Sequence, residues 1–239
     1  MKIINDNKLH NATYTATNES LNYPVSNLDS QFMAKRFQAT EDEAVIEILL
    51  TASTIDAIGH GLTNITSATI ALYTGTTGAY TLQETVTMDL TYDPCLSYTS
   101  TPRDNITRIV ITANTTATYL RLGGLSAGSA YDIEYPLSTI ERGYQDNSAW
   151  NQTTTGQSLS SYQKPLRNIP LTFNAETIEI ANELIKLYRD IGVGTPFYTD
   201  FFQGYRELMP PLYCCFSSPP TDSGVGSDRT LTFTFQECK

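Results

Sequence analysis

Few side chains in this sequence have chemistry to offer, and their spacing argues against catalysis. His60 stands between Gly59 and Gly61 at the end of an apolar run, where a lone imidazole could ligate a metal or act as a general base. The other histidine, His10, lies in an Asn/Thr-rich stretch, and two imidazoles give little material for a His-built metal centre. With no serine elbow or acid cluster accompanying it, His60 reads as a structural residue of its turn. Carboxylates gather at Glu41-Asp42-Glu43 and again at Asp132, Glu134 and Glu141. Such groups could bind calcium or form a glycosidase pair, but a glycosidase needs two carboxylates at a set separation, and no D-x-[DN]-x-[DN]-G loop occurs. With 15 Lys+Arg against 25 Asp+Glu, a net charge of -10, these clusters read as solvated edges. G-x-S-x-G, P-loop, H-E-x-x-H and complete GxGxxG motifs are all missing. The expectation is a protein that is not an enzyme, with no catalytic residues, no cofactor and no metal.

The four cysteines, Cys95, Cys214, Cys215 and Cys238, include no C-x-x-C pair, so four free, partly buried thiols are expected. The acidic balance opposes binding to nucleic acid or anionic lipid. The opening Met1-Lys2-Ile3-Ile4-Asn5-Asp6-Asn7 turns polar after two apolar residues, unlike a signal peptide, and no run approaches the length of a membrane helix, so membrane insertion is not expected. The N-x-[ST] sequons at Asn11, Asn18, Asn64, Asn105, Asn114 and Asn151 are read as a by-product of an Asn/Thr-rich chain.

Any site must be positioned mainly by strands. An excess of threonine, a β-branched residue with a hydroxyl, suits the outer face of pleated sheets. Between about 43 and 135, short apolar runs alternate with turns: Glu43 to Leu50, Thr54 to Ile58, Ala68 to Tyr73, Tyr80 to Met88, Ile106 to Ala113, Tyr119 to Leu122 and Tyr131 to Tyr135. Ile46, Ile48 and Leu50 share one face, whereas Ile109-Val110-Ile111 reads as buried on both sides. Turns are predicted at Gly59-His60-Gly61, Gly75-Thr76-Thr77-Gly78, Thr101-Pro102-Arg103-Asp104 and Gly123-Gly124. Residues 136–165 break this rhythm and are read as a connecting arm. A strand follows over Leu166 to Phe173, then an amphipathic helix over Ala175 to Ile191 with Asn174 as its N-cap and Gly192 as its stop. The closing strand, Leu231-Thr232-Phe233-Thr234-Phe235, alternates strictly. The expected fold is mainly β: an antiparallel β-sandwich of jelly-roll type over 1–135, the arm over 136–165, and a small α+β domain with one amphipathic helix over 166–239.

Two sets of residues carry a family resemblance. In the first half they are Tyr23-Pro24-Val25-Ser26-Asn27-Leu28, Phe37, the Glu43 to Leu50 strand, and Thr54-Ile55-Asp56-Ala57-Ile58-Gly59-His60-Gly61-Leu62-Thr63 leading into Ser67-Ala68-Thr69-Ile70. In the second half they are Leu166 to Phe173, the helix, Gly194-Thr195-Pro196-Phe197 and Leu231 to Phe235. Together they resemble virion structural proteins of tailed bacteriophages, tail-tip or baseplate-associated components with a discoidin-like (galactose-binding-like) N-terminal jelly roll. The resemblance implies a non-enzymatic structural protein of the tail tip, baseplate or fibre attachment point, assembled in the host cytoplasm into the virion in multiple copies. Its partners would be other virion tail proteins and copies of itself.

The alternative is a receptor- or carbohydrate-binding module acting through the sandwich loops, with a host-surface glycan as partner. The ligand-loop candidates are Tyr80, Tyr92 and Tyr98, since aromatic rings there could stack on sugar, although exposed tyrosine equally marks a protein interface. The interface candidates are Trp150, Tyr144 and Tyr162 in the arm. Trp150, the chain's only tryptophan, is either a hot-spot anchor on another subunit or a plug over the junction of the two domains.

Overall fold

The computed structural model describes residues 1–239 apart from 5, 32, 62, 134–136, 142, 147, 153–157, 162–164, 176, 177, 226, 227 and 239; at 137–140, 149–152, 158–161, 175, 178, 180, 225 and 228 it describes the backbone alone. In chain order the strands are β1 (Lys2–Ile4), β2 (Thr13–Ala16), β3 (Arg36–Gln38), β4 (Glu43–Gly61), β5 (Ser67–Thr76), β6 (Ala79–Thr87), β7 (Cys95–Asn114), β8 (Arg121–Gly128), β9 (Ala130–Asp132), β10 (Leu137–Ile140), β11 (Gly143–Gln145), β12 (Ala149–Gln152), β13 (Ser158–Ser161), β14 (Leu166–Ala175), β15 (Phe197–Asp200), β16 (Leu212–Phe216), β17 (Thr221–Val225) and β18 (Asp228–Glu237). Helix α1 (Ile178–Ile191) lies between β14 and β15. Strands hold 59% of the described residues, so the fold is mainly β, as the turn-punctuated apolar runs predict.

Packing sorts these elements into two units, Met1–Ile133 with Phe197–Tyr213, and Glu134–Pro196 with Cys214–Cys238. The division at 135 and 165 expected from the sequence is linear, and the observed one is not. Phe197–Tyr213 belongs to the first unit because the buried ring of Tyr198 packs against Gly59 there, a contact separated by far more sequence than periodicity can read.

The first unit is an antiparallel β-sandwich built around β4 and β7, each long enough to serve both layers. Their N- and C-terminal halves pair in opposite order: Ala44 to Leu49 faces Arg108 to Ala113, and Ala57 to His60 faces Cys95 to Tyr98. Between these stretches the register shifts three times, where bulges bend the strands from one layer to the other. One layer adds β2, β5 and β6, the other β8 and β3. The core between them holds Phe37, Ile46, Ile48, Ile70, Leu72, Ile109, Ile111 and Leu122. Only one face of the Ile109-Val110-Ile111 run is fully buried, since Val110 is half-buried on the other side.

Three predicted turns are strand instead. Thr101-Pro102-Arg103-Asp104 lies inside β7, where four residues, 99–102, stand opposite the single Asp56; a bulge tolerates a proline because its missing N–H is not needed by the ladder. Gly59-His60-Gly61 ends β4, and Gly123-Gly124 runs through β8. These glycines serve close approach, since a Cβ at Gly59 would enter the Tyr198 ring. The predicted turn at Gly75 to Gly78 does join β5 to β6, with Gly78 at φ 87°. A short ladder of β9, β1 and β15 completes this unit, with Lys2 paired to both Asp132 and Asp200.

The second unit is α+β. β18 pairs with β14 on one side and with β16 and β17 on the other, so that Leu231, Phe233 and Phe235 face Phe173, Leu171 and Ile169 across the ladder. All six are buried, which is the strict alternation of the sequence converted into a core face. Helix α1 buries Ala181, Leu184, Leu187 and Ile191, and Tyr188 sets its ring edge-on to Phe216 at 5.5 Å. Gly192, at φ 78°, donates its N–H to Tyr188 O at 2.7 Å and stops the helix as expected. Asn174 is not its N-cap; it pairs with Thr230 inside β14, which extends farther than its apolar pattern implied. Within the arm, β10 and β11 pair with β14, and β12 with β13.

Candidate functional site

The outward positions of the first layer line up across three strands. Thr69 on β5 faces Thr87 on β6 and Thr112 on β7, so adjoining strands carry a row of hydroxyls at the ordinary inter-strand spacing. The alternate residues Ala68, Ile70, Val86, Ile111 and Ala113 are buried, which turns the threonines outward. Next along the strands, Ser67 faces Asn114. Above this row a cleft of about 510 Å³ opens, walled on one side by Met88, Leu90 and Thr91. That wall is held in place by backbone bonding. Met88 N–H donates to Ala68 O at 3.0 Å, and Asp89 N–H donates to Ser97 Oγ at 2.8 Å. Opposite, Thr66 donates both its N–H and its hydroxyl to Asn114 O, at 2.9 and 3.2 Å. No lining residue of the cleft is charged, imidazole-bearing or aromatic. Its surface is hydroxyl and amide beside the half-buried Leu90, at a volume suited to a small ligand.

A second polar cluster in the same unit is closed. Asp200, with no exposed surface, accepts hydrogen bonds on one oxygen from Arg206 Nε at 2.8 Å and Tyr98 Oη at 3.1 Å. Arg206 also bonds Asp89 and donates to Leu96 O at 3.1 Å. Burial pushes the Asp89 carboxyl up, but hydrogen bonds from Thr91 and the charge of Arg206 outweigh it and hold the group below the usual carboxylate range. Burial and the Asp200 charge hold the Tyr98 phenol well above its ordinary value. His60 is also fully buried; its Nε2–H donates to Asp89 O at 2.8 Å, and burial pulls its pKa down so that the ring stays neutral. Cys95 is pushed up to about 11 by burial and the Asp89 charge. A neutral buried imidazole, a protonated thiol and a paired carboxylate have no access to a substrate; this cluster joins strands rather than performing chemistry.

The structure places the sequence candidates apart from one another. Tyr98 belongs to the closed cluster, with Lys2 Nζ 4.9 Å and Arg206 Cζ 5.6 Å from its ring. Tyr80 sits on β6, stacked on Arg108 at 4.8 Å, and Arg108 in turn bonds Glu47 and stacks on Tyr73. Tyr92 is half-buried in the segment after β6, beside Thr91 of the cleft wall. Tyr144 is 73% exposed on β11. The backbone of Trp150 pairs with Ser160 in the β12–β13 ladder, its side chain lies outside the described part of the structure, and Tyr162 lies outside the described residues altogether. Sequence reasoning sought rings and missed the threonines. The signal that could have found them is the small hydroxyl- or amide-bearing residue at alternate positions in Ser67-Ala68-Thr69, Thr85-Val86-Thr87 and Thr112-Ala113-Asn114.

No family model matches the chain, and no curated protein matches it in sequence. Solved structures similar to it include a Ruminococcus gnavus GH29 fucosidase in complex with fucose, 14% identical, with a TM-score of 0.45 over 54% of this chain and 28% of the fucosidase. Chitosan-binding module 1 of a chitosanase/glucanase from Paenibacillus sp. IK-5 is 16% identical, with a TM-score of 0.44 over 52% of this chain and 99% of the module. The family 32 carbohydrate-binding module of C. perfringens NanJ, in complex with galactose, is 15% identical, with a TM-score of 0.43 over 55% and 100%. The chain thus spans less than a third of the fucosidase's length. None of these three is a virion protein. The likeness is loose, and the sandwich stands on its own strand pairing.

Proposed function

We propose that the protein binds carbohydrate without catalysis, holding a neutral sugar in the cleft over Thr69, Thr87 and Thr112. The carrying observation is the chemistry of that surface: hydroxyls and an amide side by side, next to the half-buried Leu90 and free of ionisable groups. Sugars present the complementary pattern, a rim of hydroxyls around C–H faces. A net charge of -10 further disfavours an acidic polysaccharide. A glycan array probed with the full chain tests the reading. Binding to neutral glycans is expected, weakened about five- to tenfold by Thr112→Val, the loss of one hydrogen bond. A silent array, or binding that Thr69→Val and Thr112→Val leave unchanged, rejects it.

Assembly into a phage tail tip or baseplate is the second reading, resting on the sequence resemblance. Two apolar residues at strand positions favour it: Tyr144 is 73% exposed on β11 and Leu82 is 52% exposed on β6, whose only ladder partner is β5 among the described residues. A native mass measurement separates it from a solitary glycan binder, since defined multiples of the chain are expected only of the assembly protein.

A further inference from the structure

In the second unit, Cys215 and Cys238 lie on one face of the same antiparallel pair. Cys215 faces Gln236, and Cys238 follows two residues on, so the period of two returns its side chain to the Cys215 side. Cys238 Sγ contacts Gln236 O at 3.8 Å, which holds the side chain after β18 against the residue that faces Cys215. Both cysteines are half-buried, within reach of a small reagent, whereas Cys214 points to the opposite face and is fully buried and Cys95 is enclosed in the first unit.

We infer that Cys215 and Cys238 are a redox-closing dithiol that a small-molecule disulfide converts into one intramolecular disulfide, tying β16 to the residue after β18. One protein thiolate attacks a sulfur of the reagent, whose S–S bond breaks and releases one thiol. The second protein thiolate then attacks the mixed disulfide and releases the other. Two protein thiols lose two protons and two electrons, and the reagent gains both pairs as two thiols. Burial and the adjacent Cys215 push Cys238 up to about 12, so closure quickens as pH rises. The bond would close a loop from 215 to 238, restricting the unfolded chain.

Oxidised glutathione, added to the native full-length chain at mildly alkaline pH, is the probe. The expected result is a fall from four free thiols to two, an intact mass lower by two hydrogens, and a linked Cys215–Cys238 peptide after digestion under denaturing, thiol-blocked conditions. Cys215→Ser and Cys238→Ser, each confirmed folded by circular dichroism, should abolish that mass loss. Four persisting thiols, a stable glutathione adduct that never closes, or a link through Cys214 or Cys95 overturns the inference.

Discussion

The two halves of β4 belong to one strand and meet different fates. From Ala44 to Ile48, buried and less buried positions alternate, as in a strand with one wet face. From Ala57 to Gly61 every residue is buried. The difference comes from what lies outside the layer. Over the second half, Tyr198 packs on Gly59 and Met33 on Gly61, so both faces are dry, and the polar groups there bond inside the fold, His60 to Asp89 O and Arg206 to Asp89 and Asp200. Around the first half, the outer face remains open, and Thr69, Thr87 and Thr112 stand exposed on it. Polarity in the closed half is used inside the fold, and polarity in the open half faces solvent.

Four changes can break or sharpen that contrast, in decreasing order of effect. Arg206→Ala strands the buried Asp200 without its cation, and stability should fall by about 3–5 kcal/mol in urea titration; a loss below about 1 kcal/mol, typical of an exposed pair, would place the cluster with surface ion pairs. Gly59→Ala drives a methyl into the Tyr198 ring and should lower stability by about 1–3 kcal/mol, visible as a reduced Tm. Protonation of His60 comes third. Its folded pKa lies below 6.5, so below that pH the unfolded chain binds a proton the folded one refuses, and stability falls with pH by up to about 1.4 kcal/mol per unit. The Tm of the chain should therefore decline between pH 7 and 5 more steeply than that of a His60→Gln variant; equal slopes would mean that His60 is accessible to solvent. Thr112→Val, in the open half, should shift stability by less than about 0.5 kcal/mol, while sugar titration loses affinity.

The strands of the open half were legible because alternation encodes one wet face, and Leu231, Phe233 and Phe235 were legible for the same reason. The closed half was legible only in part: Thr54 to Ile58 reads as a strand, but the glycines that follow read as a turn. A glycine pair such as Gly123-Gly124 signals a turn locally, and only pairing with distant residues, Gly123 with Arg36 and Gly61, makes it strand, while Tyr198, 74 residues away, donates its hydroxyl to Gly124 O at 2.5 Å. Pro102 misled in the same way, because a bulge partner cannot be read from the residues beside it. The cleft escaped notice since threonine on an outer strand face is what any sheet presents; its distinction lies in three strands placing Thr69, Thr87 and Thr112 side by side. Asn174 was a sound cap by type, but its pairing with Thr230 took precedence.

The pairing of Lys2 with Asp200 sets a clock on biosynthesis. At about 5–20 residues per second, a ribosome that has made Lys2 needs roughly 10–40 s to reach Asp200. Throughout that interval β1 has no β15 to pair with, and the outer surface of Gly59 and Gly124 waits for Tyr198. The nascent sandwich therefore emerges with an apolar flank uncovered, and a holdase able to shield it for tens of seconds would raise the yield of native chain more than one acting after release.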